Sequence, residues 1–286
     1  MGEKTPKTAI TPDKTYNFKP LEELTLMDDY MFSAVMQDTA NLKPLLEYIL
    51  GIRISEINYV EPQKTEKEGY RSHGIRLDLY VKDAEGTIYN VEVQPARKKN
   101  LPKRNRYYQS VIDINVLPPG VDYKKLSRSY VLFICNYDPF ERDRYLYTFE
   151  NRCVEALDLP LGDETRKVIV NAKGRVGDIS DELKELIIYL DKSIPTGNYT
   201  EQLDKAVNLI KSSEMRRHEY MVMMIHDMEI REEGREEGRA EGILGSIDIM
   251  QDDGKDEETI KKRLIDKYHL KEDEAAEYML KANGRR

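Results

Sequence analysis

The sequence predicts an α/β protein, of the α+β kind: one mixed sheet flanked by helices, followed by a helical appendage. Three observations point there. Helical patterning comes first, at about 27–37 and 41–50. A middle rich in β-branched and aromatic residues succeeds it, broken by one helical stretch at about 103–117. From about residue 199 onward the patterning is helical throughout. Helices, then strands around a single helix, then helices, is the order of a mixed sheet with helical layers.

Residues 1–20 are rich in Lys, Thr and Pro and read as a mobile tail. The helix over 41–50 ends at Gly51, which suits a left-handed C′ position. Ile52–Val60 supplies a strand, and the polar stretch Glu61–Ser72, with Pro62 and Gly69, reads as a loop. A hairpin comes next. The helix over 103–117 stops at Pro118-Pro119-Gly120, because proline cannot continue it. Strands are expected near 129–136, 144–149 and 166–171, and a helix near 180–192. A long helical stretch runs from Tyr199 toward residue 242, and Ile243–Met250, Glu257–Lys267 and Glu272–Lys281 read as three short helices. The domain plan is therefore a tail over 1–20, a core over 21–198, a long helix over 199–242 and an appendage over 243–286.

The hairpin carries the chemistry. Ile75, Leu77, Leu79 and Val81 alternate with Arg76, Asp78 and Tyr80, while Tyr89, Val91 and Val93 alternate with Asn90, Glu92 and Gln94. Asp83-Ala84-Glu85-Gly86 suits a type I turn closed by a left-handed glycine, the three-residue hairpin loop with a bulge. That loop opposes Asp83 to Thr87 and so carries Asp78 to a place opposite Glu92. Opposed residues have Cβ atoms roughly 5 Å apart. Two carboxylates that close repel each other unless a cation lies between them, and Mg²⁺ is held by one or two carboxylates with water and phosphate. The bland alternative is an acidic wet face on an edge hairpin, and a two-residue loop would turn Asp78 away from Glu92. The segment C-terminal to the hairpin favours the metal. Arg97, Lys98, Lys99, Lys103, Arg104 and Arg106 place six positive charges within Arg97–Tyr108, in a chain of net charge −8. A basic run beside Tyr107 and Tyr108, next to a metal site, suits a phosphodiester backbone.

Composition excludes other classes. With 53 acidic against 45 basic residues, the chain is not a globally basic nucleic-acid packager, so any DNA contact is a local patch. No apolar run approaches the ~20 residues of a membrane helix. Cys135 and Cys153 sit in apolar surroundings without ligand spacing and read as reduced core thiols. The expectation is a cytoplasmic protein.

Taken in order, Asp78, Glu92-Val93-Gln94 and Lys103-Arg104-x-Arg106-Tyr107-Tyr108 resemble the PD-(D/E)XK nuclease superfamily, and more narrowly the bacterial recombination-promoting nuclease/transposase group. Leu26-Met27-Asp28-Asp29-Tyr30-Met31-Phe32 resembles that group's opening helix, and Tyr130–Cys135 with Asp138 its next strand. The Gly-spaced stretch near residue 235 is also typical, so the resemblance extends over about 21–245. It implies a restriction-endonuclease-like core and a Mg²⁺-dependent endonuclease acting on DNA, with Mn²⁺ able to substitute. Asp78, Glu92 and Gln94 would be catalytic, with Asp78, Glu92 and the Val93 carbonyl as metal ligands. Gln94 stands where the superfamily usually has Lys; a neutral amide can position water but carries no charge. Arg104 and Arg106 are candidates for gripping the backbone, and Tyr108 for stacking on a base or supporting the site. Glu47 is carried over as a supporting acid on a core helix. The rival reading is a catalytically weakened module that binds nucleic acid or a protein partner. Asp78, Glu92 and Gln94 together favour the enzyme, while the replacement of Lys by Gln94 slightly favours the rival.

The C-terminal third adds two features. Ile230-Arg-Glu-Glu-Gly-Arg-Glu-Glu-Gly-Arg-Ala-Glu-Gly242 sets Gly234, Gly238 and Gly242 four residues apart. Each glycine costs a helix about 1 kcal/mol, partly offset by Glu232–Arg235 and Glu236–Arg239 pairs. A flexible helical linker is preferred over a homodimer seam through 199–242. Met215, Met221, Met223, Met224 and Met228 read as packing surface. The spacing of the last two helices suggests a helix-turn-helix, but Glu272, Asp273, Glu274 and Glu277 are the wrong charge for a DNA groove.

Overall fold

The computed structural model describes residues 19–66 and 75–284, without the side chains of 62–66 and 75–77. The expected tail up to residue 18, and the part of the expected loop over 67–72, lie outside the described residues. The chain divides into two compact units, up to Arg217 and from His218 onward.

The first unit opens with α1 (Asp29–Met36) and α2 (Thr39–Leu50). Asp38 caps α2 by accepting from the Ala40 N–H at 2.9 Å, and Gly51 ends it with φ +63°. Strands β1 (Ile57–Glu66), β2 (Ile75–Asp83) and β3 (Ile88–Gln94) come after it. Strand therefore replaces the expected loop over residues 61–66. Then come α3 (Leu101–Val116), β4 (Ser129–Cys135), β5 (Leu146–Phe149), β6 (Thr165–Asn171), α4 (Asp181–Lys192) and α5 (Asn198–Ser212).

The sheet order is β1-β2-β3-β4-β6-β5. β1, β2 and β3 pair antiparallel, β3–β4–β6 are parallel, and β5 returns antiparallel. Among the described residues this is a six-stranded mixed sheet with flanking helices, the restriction-endonuclease-like class expected. The hairpin loop forms as its residues dictate. Gly86 takes φ +84°, its N–H meets the Asp83 carbonyl at 3.1 Å, and the Asp83 N–H meets the Thr87 carbonyl at 3.1 Å. The resulting register pairs Val81 with Tyr89 and Leu79 with Val91, so its continuation sets Asp78 against Glu92.

The hairpin is not an edge. β1 covers the outer side of β2, and β4 lies along β3. Consequently β3 is buried along its whole length, on both faces. Glu92 and Gln94 are each 2% exposed, so the bland alternative of a wet edge face does not hold for β3. α3, which links the parallel strands β3 and β4, packs Leu101, Tyr108, Val111 and Ile112 against Tyr80, Ile88, Val131, Phe133 and Cys135 on one side of the sheet. By alternation that side also carries Asn90, Glu92 and Gln94. The opposite side holds Tyr89 and Tyr130, stacked at 5.4 Å.

The expected single helix from Tyr199 is two. It breaks at Ser213, whose extended backbone ends α5, and resumes as α6 (Glu214–Asp252). α6 runs on through all three glycines and absorbs the separate helix expected over 243–250. With α7 (Glu257–Tyr268) and α8 (Glu272–Asn283) it builds a second small core from Ile243, Leu244, Ile247, Ile260, Leu264, Ala275 and Met279. The acidic last helix thus packs inward on its apolar stripe. Along α6, Met215 and Met221 are exposed, which corrects their reading as packing surface. Glu232 pairs with Arg235 as expected, whereas Arg239 donates to the Tyr268 carbonyl at 2.6 Å. Among the described residues, no helix is long and apolar enough to cross a membrane.

Candidate active site

The β2–β3 ladder stops at Leu79↔Val91, and two carboxylates take over where it ends. The Asp78 N–H donates to Glu92 Oε1 at 3.1 Å, and the Val93 N–H donates to Asp78 Oδ2 at 3.0 Å. Each acid is thereby tied to the other's strand. Glu92 Oε1 also accepts from Asn90 Nδ2 at 3.1 Å.

These bonds do not offset the setting. Burial pushes the Asp78 carboxyl up to about 6, and the charge of Asp29 pushes the same way; the Val93 N–H, Lys98 and Arg104 oppose them. Burial, with Asp78 second, holds Glu92 well above the usual carboxylate range. A half-buried and a buried acid that resist ionisation side by side are a place where a hard divalent cation gains most. The donor set fits Mg²⁺ or Mn²⁺: two carboxylates, with backbone oxygens nearby. Among the described residues no three or more His, Cys, Asp or Glu side chains gather as the ligands of a closed zinc site do.

Gln94 ends β3 on the same face. Its Oε1 accepts from Arg104 Nη1 at 2.8 Å, and its Nε2 donates to the Val93 carbonyl at 2.7 Å. Arg104 Nη2 donates to the Tyr108 hydroxyl at 3.0 Å, and its guanidinium lies over the Phe133 and Tyr108 rings at 5.6 and 5.5 Å. α3 therefore delivers a cation to the end of β3 by the i,i+4 spacing of Arg104 and Tyr108. Tyr108 is only 8% exposed, with its ring against Phe133, so it supports the site and is not free to stack on a base.

The basic run divides. Lys98, Lys99, Lys103 and Arg106 are exposed around the α3 N-terminus. Arg97 is exposed as well, but it donates to the Asp138 carbonyl at 2.8 Å and to Glu141 at 3.3 Å. The helix N-terminus adds its own partial positive charge beside them.

Residues 26–158 match the PD-(D/E)XK nuclease family transposase. This segment, under half of the 286 residues, is similar to that family. It spans α1 to the loop after β5, and so contains the carboxylate pair, Gln94 and the whole basic run. It is shorter than the 21–245 of the resemblance, and the Gly-spaced helix lies outside it. No curated protein and no solved structure matches the chain.

Within this segment one expected residue lies elsewhere. Glu47 accepts from the Ile54 N–H at 2.8 Å and lines a separate cleft of about 460 Å³ with Arg53, Asp178 and Glu182. It fastens the α2–β1 connection, away from the carboxylate pair. Besides Glu92, an acid that acts on Asp78 is Asp29, the first residue of α1. Its Asp-Asp pair is visible in sequence, but nothing local shows that α1 reaches β2. The cysteines also part company. Burial pushes the Cys135 thiol up to about 12, leaving it inert, while the half-exposed Cys153 bonds Glu155 at 3.3 Å and is not a core thiol.

Proposed function

We propose that the chain is a Mg²⁺-dependent DNA endonuclease, with Mn²⁺ able to substitute, linked to recombination or mobile elements. The observation that carries this reading is half-buried Asp78 beside buried Glu92, each bonded to a backbone N–H of the other's strand and set beside a basic helix start. Asp78 and Glu92 hold the cation, with the Val93 carbonyl as a further oxygen. When bound, the metal supplies a Lewis acid and a water of lowered pKa. The chain's own contribution is to fix both carboxylates through backbone N–H groups, so that they cannot swing apart when their charges repel. Burial of β3 keeps bulk water from competing for them. Lys98, Lys99, Lys103 and Arg106 attract and register the phosphate backbone, a task that needs exposed, long side chains.

A plasmid-nicking assay tests the proposal. Supercoiled DNA with Mg²⁺ or Mn²⁺ should be nicked by the wild type and left intact by Asp78→Ala. Equal cleavage by both would show that the activity belongs to something else. DNA binding without cleavage, in either metal, would make the chain a binding module on a nuclease fold.

A further inference from the structure

We infer that Arg104 supplies the fixed positive charge of this site, and that Gln94 is its positioning residue. The inference deepens the proposed nuclease function and rests on it. In place of Lys, Gln94 brings an amide with no charge, and both ends of that amide are engaged: Oε1 by Arg104 at 2.8 Å, Nε2 by the Val93 carbonyl at 2.7 Å. At 2% exposure it has little freedom to turn toward a water instead. Its carbonyl end points at the guanidinium that α3 lowers onto this face of the sheet. That guanidinium is set from several sides: Gln94, the Tyr108 hydroxyl at 3.0 Å, and the rings of Phe133 and Tyr108. Phe133 in turn is the register partner of Glu92 on β4, which puts the cation beside the carboxylate pair.

A residue that grips a moving backbone needs reach and solvent, as Lys103 and Arg106 have on the same helix. Arg104 has neither. It is half-buried, and its Nη1 and Nη2 groups are already engaged by Gln94 and Tyr108. The rigid fork of a guanidinium lets it bond both partners and still present charge to the acids. Arg104 weakens the mutual repulsion of Asp78 and Glu92, and it works against an excess of metal binding.

The test compares R104Q, Q94K/R104Q and R106Q with the wild type. Manganese affinity is read by calorimetry without DNA, and nicking kinetics are read with Mg²⁺. R104Q should bind Mn²⁺ at least threefold more tightly, because a repelling cation is gone. Its kcat should fall about 100-fold, the scale of one lost oriented charge, with KM held within threefold. Q94K/R104Q, which returns the charge by the ordinary route, should restore wild-type Mn²⁺ affinity and at least tenfold of the lost kcat. R106Q should raise KM and leave Mn²⁺ affinity unmoved. Unchanged Mn²⁺ affinity in R104Q, a rise in KM with kcat held, or no recovery in the double variant would overturn the assignment. A structural tie alone would give no recovery, since lysine cannot rebuild the Gln94–Arg104–Tyr108 bonds. The nuclease reading fails separately: a wild type whose Mn²⁺ affinities keep the expected order but which nicks no DNA supports the charge assignment and removes the activity.

Discussion

Glu92 illustrates the tension at the level of single residues. Its carboxylate is 2% exposed, faces another acid, and makes its bonds through Oε1, which accepts from a backbone N–H and from Asn90. Gln at the same place could keep those acceptor bonds and shed the charge. Glu92→Gln should therefore abolish nicking and yet raise the melting temperature of the metal-free protein at pH 8. A lower melting temperature would mean that the charge itself stabilises the fold. The linkage to pH has a definite sign. Asp78 titrates near 6 in the fold against about 4 in an unfolded chain, so its protonated form favours folding. That contribution is fully present below about pH 4 and is lost as pH rises through about 6. The metal-free protein should thus be more stable at pH 5 than at pH 8, with Mg²⁺ restoring the difference at pH 8. Each kcal/mol corresponds to about 2–4 °C for a unit of this size. Thermal scans of Asp78→Asn should show the pH dependence flattened; an unchanged profile would place its source elsewhere.

At the level of elements, one turn sets the site. Gly86 at φ +84° lets the hairpin close with a three-residue loop, and the loop length decides which residues oppose. A side chain there meets the left-handed penalty, so Gly86→Ala should cost roughly 1–2 kcal/mol in urea unfolding. The α3 start is the other decisive element. Its four exposed cations should make DNA binding salt-dependent, with a slope near −0.9 per phosphate neutralised. Replacing Lys103 and Arg106 together by Ala should flatten the slope by about two and weaken all sequences alike. Salt-independent affinity would remove this patch as the DNA contact. Much of this level was legible in the sequence. Asp-Ala-Glu-Gly is local turn chemistry, so the opposition of Asp78 and Glu92 was readable before any tertiary contact. The strand over 61–66 was not, because Pro62 and a polar run mask a segment that forms by pairing with β2.

The chain comprises two compact units, each with a core of its own. The second is closed by Ile243, Ile247, Ile260 and Leu264, while the Tyr30 and Glu22 contacts to Arg216 and Arg217 belong to the first. Truncation after residue 230 should leave the first unit folded, with Mn²⁺ affinity unchanged. Gly234, Gly238 and Gly242 lie in a continuous helix with open space around each, so Gly238→Leu is tolerated sterically. If that helix pairs chains, the substitution should turn dimer into monomer in sedimentation; an unchanged mass after both changes leaves a linker.

By itself the sequence determined the elements that rest on short-range physics: capped helices, the hairpin and its register, the basic helix start, the packed last helices. These come from residue spacing and turn geometry, which neighbours along the chain settle. Tertiary structure alone decided which positions lose water. Adding β1 and β4 to the hairpin buried Glu92, placing α3 on the sheet brought Arg104 to Gln94, and setting α1 beside β2 gave Asp78 a second acid in Asp29. Burial and charge proximity depend on partners distant in sequence, and those are the quantities that turn two acidic residues into a candidate metal site.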